Sequence, residues 1–172
     1  MSCWYKKDGT EGDIVVSSRV RLARNLSDLP FSCRMTKEML ETLKQRVKEA
    51  LGDLSIKLQF IEMDDVPKTE IEAMVERHVI SPDFAKNHAG RAIAISSDES
   101  VSIMIGEEDH LRIQVISGGL SLKEAYELAD KLDTELNAKL GFAYDSELGF
   151  LTECPTNIGT KRRQPVYFPA GR

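Results

Sequence analysis

The segment "RAIAISSDESVSIMIGEEDHLRIQVI", residues 91 to 116, constrains the fold more than any other part of this 172-residue chain. Apolar, β-branched runs follow one another with short polar interruptions at positions 97 to 100 and 106 to 109. Successive strands joined by such tight turns describe an antiparallel meander. The second turn raises a chemical question. Glu107, Glu108 and Asp109 stand side by side, where like charges repel, with His110 and Arg112 directly after them. Taken alone, the acids read as a solvated hairpin loop. A loop that needs only solvation, however, has no use for an arginine held on a strand of the buried type.

The other elements follow from periodicity. In "DIVVSSRVRLARNL", Val15, Ser17, Arg19 and Arg21 alternate with Val16, Ser18, Val20 and Leu22, so a strand puts both arginines on one face. "TKEMLETLKQRVKEALG" spaces Met39, Leu40, Leu43, Val47, Ala50 and Leu51 along a helical stripe, with Thr36 as N-cap and Gly52 just past the end. "SIKLQFIEM" sets Ile56, Leu58 and Phe60 against Lys57 and Gln59 as a half-buried strand, and a shorter helix is predicted after Pro67 with Ile71, Met74 and Val75 inward. The clearest helix is "SLKEAYELADKLDTELNAKLG". Ser121 and Glu124 have capping-box spacing, Leu122, Ala125, Leu128, Ala129, Leu132, Leu136 and Leu140 form the stripe, and Gly141 ends it. "ELGFLTECPTNIGT" reads as strand then loop. The class that results is α+β: a largely antiparallel sheet flanked by helices. Residues 1–12 form a polar lead-in, 13–160 one domain, and the aperiodic basic stretch 161–172 a tail outside the core.

Composition excludes more than it assigns. A net charge of -5 argues against a general nucleic-acid binder. No apolar run approaches the roughly 20 residues of a membrane span. The N-terminus lacks the apolar core of a signal peptide, so a cytoplasmic protein without membrane contact is expected. Cys3, Cys33 and Cys154 have no C-x-x-C spacing, so neither a disulfide framework nor a zinc site is suggested and no metal ligand is assigned.

Isolated arginines are usually surface ion-pair partners. Arg19 and Arg21 in register on a short apolar strand, with Ser17 ahead of them, are harder to dismiss. Guanidinium groups make forked contacts with phosphate oxygens, and several converging on one point repel unless an anion sits between them. A polyphosphate would serve.

"SSRVRLARNL", "EEDHLRIQ" and "ELGFLTECPTNIGT", with "ERHVISPDFA" and "DESVSIMI" between them, resemble the guanidino phosphotransferases (phosphagen kinases), and most of all their bacterial branch, the protein arginine kinases. The likeness runs from about Asp13 to Thr160. It implies ATP with Mg2+ as cofactor, and arginine side chains in proteins as acceptor. It implies that Ser17, Ser18, Arg19, Val20, Arg21, His78 and Arg112 bind ATP, that Glu108 is the carboxylate that orients and deprotonates the guanidinium, and that Glu107 and Cys154 lie beside the guanidinium. It also implies stress-response regulators and Clp-type protease machinery as partners; oligomeric state, a homo-oligomer included, is left open. The chemistry is consistent. Guanidinium has a pKa above about 12, so forming its neutral nucleophile at pH 7 costs roughly 7 kcal/mol, and a positioned carboxylate must take the proton. Arginines that neutralise the transferring phosphoryl group supply much of the rest. His110 and His88 are left as structural or surface residues.

Two departures from the family pattern stand out. Gly106 replaces an asparagine before the glutamates and is expected to loosen Glu108. After Thr160 the text breaks into "KRRQPVYFPAGR", as a frameshift or early stop would produce, so an incomplete catalytic domain with little or no activity and an open sheet edge is expected. The alternative function is a non-catalytic module that binds nucleotide or phosphoarginine through Arg19, Arg21 and Arg112. Either reading expects the acidic turn and the arginines to converge on a single pocket.

Overall fold

The computed structural model describes residues 3–6, 9–157 and 166–167, the last pair and Thr156 by backbone only. Along them run β1 (Ser17–Arg24), α1 (Lys37–Leu51), β2 (Leu58–Glu62), α2 (Lys68–Glu76), α3 (Pro82–Lys86), β3 (Ala92–Ser96) and β4 (Val101–Ile105). β5 (Leu111–Gly118), α4 (Leu122–Leu140), β6 (Tyr144–Asp145), β7 (Gly149–Phe150) and β8 (Val166–Tyr167) follow. The main sheet has the order β2-β3-β4-β5-β1-β8, and every neighbouring pair is antiparallel. The meander is therefore present as the alternation predicts. The two-residue β8 pairs with Ser17 and Ser18 at the edge of β1, and the rest of the 161–172 tail lies outside the described residues.

Because side chains alternate across each strand, register divides the sheet into two faces. One face carries the rungs Val20–Val115–Val101 and Leu22–Ile113–Ile103–Ala94. It packs against Leu43 and Val47 of α1 and Ala125, Ala129, Leu132 and Leu136 of α4 to form the larger core. The opposite face carries Ile93, Ile95 and Met104 under α2 and α3, where Ile71, Met74 and Phe84 complete a second, smaller cluster. Val75, expected inward, is only half-buried. On this second face the rungs continue into Ser102–Gln114–Arg21 and Met104–Arg112–Ala23. The helices leave this end of the sheet to polar groups.

Helix boundaries follow local chemistry at three of four expected ends. Thr36 Oγ1 accepts the Met39 N–H at 3.3 Å, Gly52 closes α1, and Gly141 ends α4 in the left-handed region at φ 67°. The capping box expected at Ser121 does not form. Ser121 has φ -136° and ψ 38°, and its hydroxyl donates to Gly118 O while its N–H donates to Ser18 Oγ. The β5-to-α4 connection has taken the groups a cap would use.

Arg24 has the parity of Val20 and Leu22 and points into the larger core, 3% exposed. There it makes a forked pair with Asp133 of α4 at 2.8 and 2.9 Å and lies 3.7 Å over the Phe150 ring, tying β1, α4 and β7 together. Breaking one side of such a pair leaves a buried charge. Asp133→Ala is expected to cost about 3–5 kcal/mol of unfolding free energy. Ile103→Ala, which opens a cavity in the larger core, is expected to cost about 2–5 kcal/mol. Urea unfolding of the two variants checks both values.

Candidate active site

The acids of the 106–109 turn are fixed in three different ways. Gly106 sits at φ +81°, donates its N–H to His110 O at 2.9 Å, and has Leu40 so close that an added Cβ would meet it at 2.7 Å. Glycine thus closes this turn tightly, against the loosening expected from the sequence. Asp109 is buried: its Oδ1 accepts Asn25 Nδ2 at 2.6 Å and the Glu153 N–H at 2.8 Å. Asn25 also accepts the His110 N–H at 2.9 Å and donates to Leu151 O at 3.1 Å. The turn is thereby anchored to the end of β1 and to the segment after β7.

His110 completes the anchor. Its Nδ1 accepts the Leu26 N–H at 3.0 Å, which leaves Nε2, 2.8 Å from Pro30 O, as the protonated donor of a neutral ring. Burial pushes its pKa below the ordinary histidine value, outweighing the opposing pull of Pro30 O and Asp109.

Glu107 and Glu108 share one cation. Glu107 is buried; its Oε1 accepts the Ser81 hydroxyl and its Oε2 forms an ion pair with Arg112 Nη1 at 2.7 Å. Glu108 Oε2 lies 3.3 Å from Arg112 Nη2, with its side chain 41% exposed. Ser81 also caps α3 by accepting the Phe84 N–H at 3.0 Å, so the helix and the acidic turn are locked together.

Among the described residues these groups separate two adjoining cavities, where the sequence led us to expect one. A cavity of about 260 Å3 is lined by Arg19, Arg21, His78, Ser81, Met104 and Gln114, among others. His78 is held there in the left-handed region at φ 61°, its carbonyl accepting Gln114 Nε2 at 2.7 Å. A second cavity, of about 390 Å3, is lined by Glu107, Glu108, Glu153, Cys33, Lys37 and Arg91, among others. The wall between them is the Ser81–Glu107 contact, and Arg112 stands next to both, one rung from Arg21. Ser18 and Val20 have the other parity: Ser18 Oγ donates to Gly119 O at 2.8 Å and Val20 belongs to the larger core. Ser17 is buried and lines neither cavity, and Cys154 is half-buried next to Glu153 without lining the acidic one. Ser81, Arg91, Cys33 and Glu153 were not singled out from the sequence; the Ser-Pro helix start at 81 and 82 was the available signal for the first.

A cavity lined by Arg19 and Arg21 thus adjoins one lined by Glu107 and Glu108 on an antiparallel sheet. Comparisons with known proteins define the class. Residues 38–169 match the family model ATP:guanido phosphotransferase, C-terminal catalytic domain. The protein-arginine kinase of Halothermothrix orenii is 47% identical over 167 residues, covering 96% of this chain and 48% of that protein. That of Symbiobacterium thermophilum is 44% identical over 170 residues, with the same coverage. Taurocyamine kinase from Schistosoma mansoni with bound transition state analog components superposes with a TM-score of 0.81 at 30% identity, over 92% of this chain and 24% of that one. Lombricine kinase, at 19% identity and a TM-score of 0.81 over 97% of this chain and 50% of that one, shares the fold. The chain belongs to the ATP:guanido phosphotransferase family. It spans about half the length of the curated relatives it matches.

The His110 geometry predicts a pH dependence. The unfolded chain titrates His110 near pH 6.5, above its folded value, so it binds the extra proton first as pH falls. The stability from the neutral ring is present above about pH 6.5 and is lost as pH falls through the lower folded-state pKa. His110→Gln is expected to flatten that part of a denaturation-versus-pH profile.

Proposed function

We propose that this chain is the nucleotide- and guanidine-binding part of an ATP-dependent protein arginine kinase. The observation that carries it is the fork of Arg112 on Glu107 and Glu108, beside the cavity that holds Arg19 and Arg21. Charge suits each cavity to one reactant. Arg19, Arg21 and His78 would hold nucleotide phosphates, to which forked guanidinium groups are matched. Among the described residues no cluster of three or more His, Cys, Asp or Glu can hold a metal. Magnesium bound with the nucleotide would neutralise phosphate charge, as its reliance on phosphate ligands allows.

The two glutamates then divide the work. Glu107, with both oxygens engaged, fixes Arg112 where charge develops on the transferring group. Glu108 keeps Oε1 without a bond among the described residues, and that oxygen can take a guanidinium N–H. As the N–P bond forms and the bond to the departing ADP oxygen breaks, the guanidinium proton passes to Glu108. Cys154, next in sequence to the cavity-lining Glu153, would lie beside the guanidinium as the family resemblance implies. Arginine-bearing proteins as substrates, stress-response regulators and Clp-type proteases as partners, and a cytoplasmic setting belong to the same proposal and rest on the family resemblance. No helix among the described residues is long and apolar enough to cross a membrane. Turnover by this chain alone is expected to be slow, since its relatives are about twice as long.

The test uses stoichiometric chain, γ-labelled ATP and an arginine-rich protein. Acid-labile label is expected, reduced about 100-fold or more by Glu108→Gln. Nucleotide binding that Arg21→Ala abolishes, with no label at any time, would instead support the non-catalytic binding module.

A further inference from the structure

The acidic cavity also contains a cation that the proposed chemistry does not use. Arg91, immediately before β3, lies opposite the Gly106 turn, its Cγ 3.7 Å from where a Cβ on Gly106 would stand. Its guanidinium is 5.6 Å from the centre of the Phe84 ring, and Phe84 is fully buried, so a rigid aromatic group holds the arm in place. The side chain is half-buried and makes no ion pair or side-chain hydrogen bond with the described residues. Glu107, the acid near enough to influence it, has its oxygens engaged by Ser81 and Arg112. Burial works against the charge of Arg91, and only Glu107 offsets it.

A half-buried cation whose one nearby acid is already engaged elsewhere is costly, and an incoming guanidinium would raise that cost by repulsion unless an anion came with it. Lys37, at the start of α1, lines the same cavity. At about 390 Å3 the space is of the size that takes a whole small ligand, larger than a guanidinium group needs. We infer that Arg91, with Lys37, forms a carboxylate subsite of the guanidine cavity, so that the preferred acceptor carries a carboxylate close to its guanidine. The carboxylate is either an acidic side chain flanking the target arginine or the α-carboxylate of arginine itself. This rests on the reading of Glu108 as the guanidinium partner.

Binding is measured by titration calorimetry with three probes: a capped peptide with aspartate next to arginine, the same peptide with alanine in place of aspartate, and free L-arginine. The wild type is expected to prefer at least one carboxylate-bearing probe over the alanine peptide by about tenfold. Arg91→Gln is expected to abolish that preference while leaving the alanine peptide within twofold, and Arg91→Lys to retain part of it. Thermal melts of both variants establish that they fold. Preference for the aspartate peptide identifies a flanking acid; preference for free arginine identifies the α-carboxylate. Absence of any preference in the wild type, or an equal effect of Arg91→Gln on all three probes, overturns the subsite. Glu108→Gln judges the underlying reading separately: it weakens every probe if Glu108 holds the guanidinium and none if it does not.

Discussion

Arg112 holds two adjacent carboxylates with one planar cation, Glu107 at 2.7 Å and Glu108 at 3.3 Å, and this contact organises the end of the sheet at the candidate site. Three consecutive acids would repel if left to share one environment. Here each has its own: Asp109 is buried on Asn25 and the Glu153 amide, Glu107 is buried between Ser81 and Arg112, and Glu108 remains open to solvent. The division leaves one carboxylate oxygen available next to a fixed positive charge. That is the arrangement on which the proposed cationic acceptor and anionic donor would depend.

Strain and burial at the turn serve the same end. Gly106 in the left-handed region and the neutral His110 ring, pinned at both nitrogens, fix the backbone from which the glutamates project. The cost of burying His110 and Asp109 is offset by hydrogen bonds that reach three separate segments, the end of β1, the loop at Pro30 and the stretch after β7. The loop carrying the candidate site carboxylates is in this way tied down from three sides.

Most of the fold was legible because hydrophobic periodicity is a local property. Alternation in the 91–116 segment, the stripe of α4, the stripe of α1 apart from Met39, which is exposed, and the terminators Thr36 and Gly141 appear where they were expected. Ser121 was misread because its cap competed with bonds to Gly118 and Ser18, the latter 103 residues away in sequence. Arg24 was not singled out from the sequence, because the aspartate that pairs with it in the core, Asp133, lies 109 residues further on and nothing local announces the pair.

For the site, sequence parity alone determined that Arg19 and Arg21 share a face, and motif order pointed to Glu108, Arg112 and His78 as members of one chemistry. Tertiary structure alone decided that the arginines and the acids occupy two adjoining cavities, that Ser81 joins the cationic one, and that Glu153 and Arg91 join the acidic one. The physical reason is range. Which face a side chain takes depends on its neighbours two and four positions away, whereas a cavity is made where separate strands and helices meet, and its members are selected by distance in space.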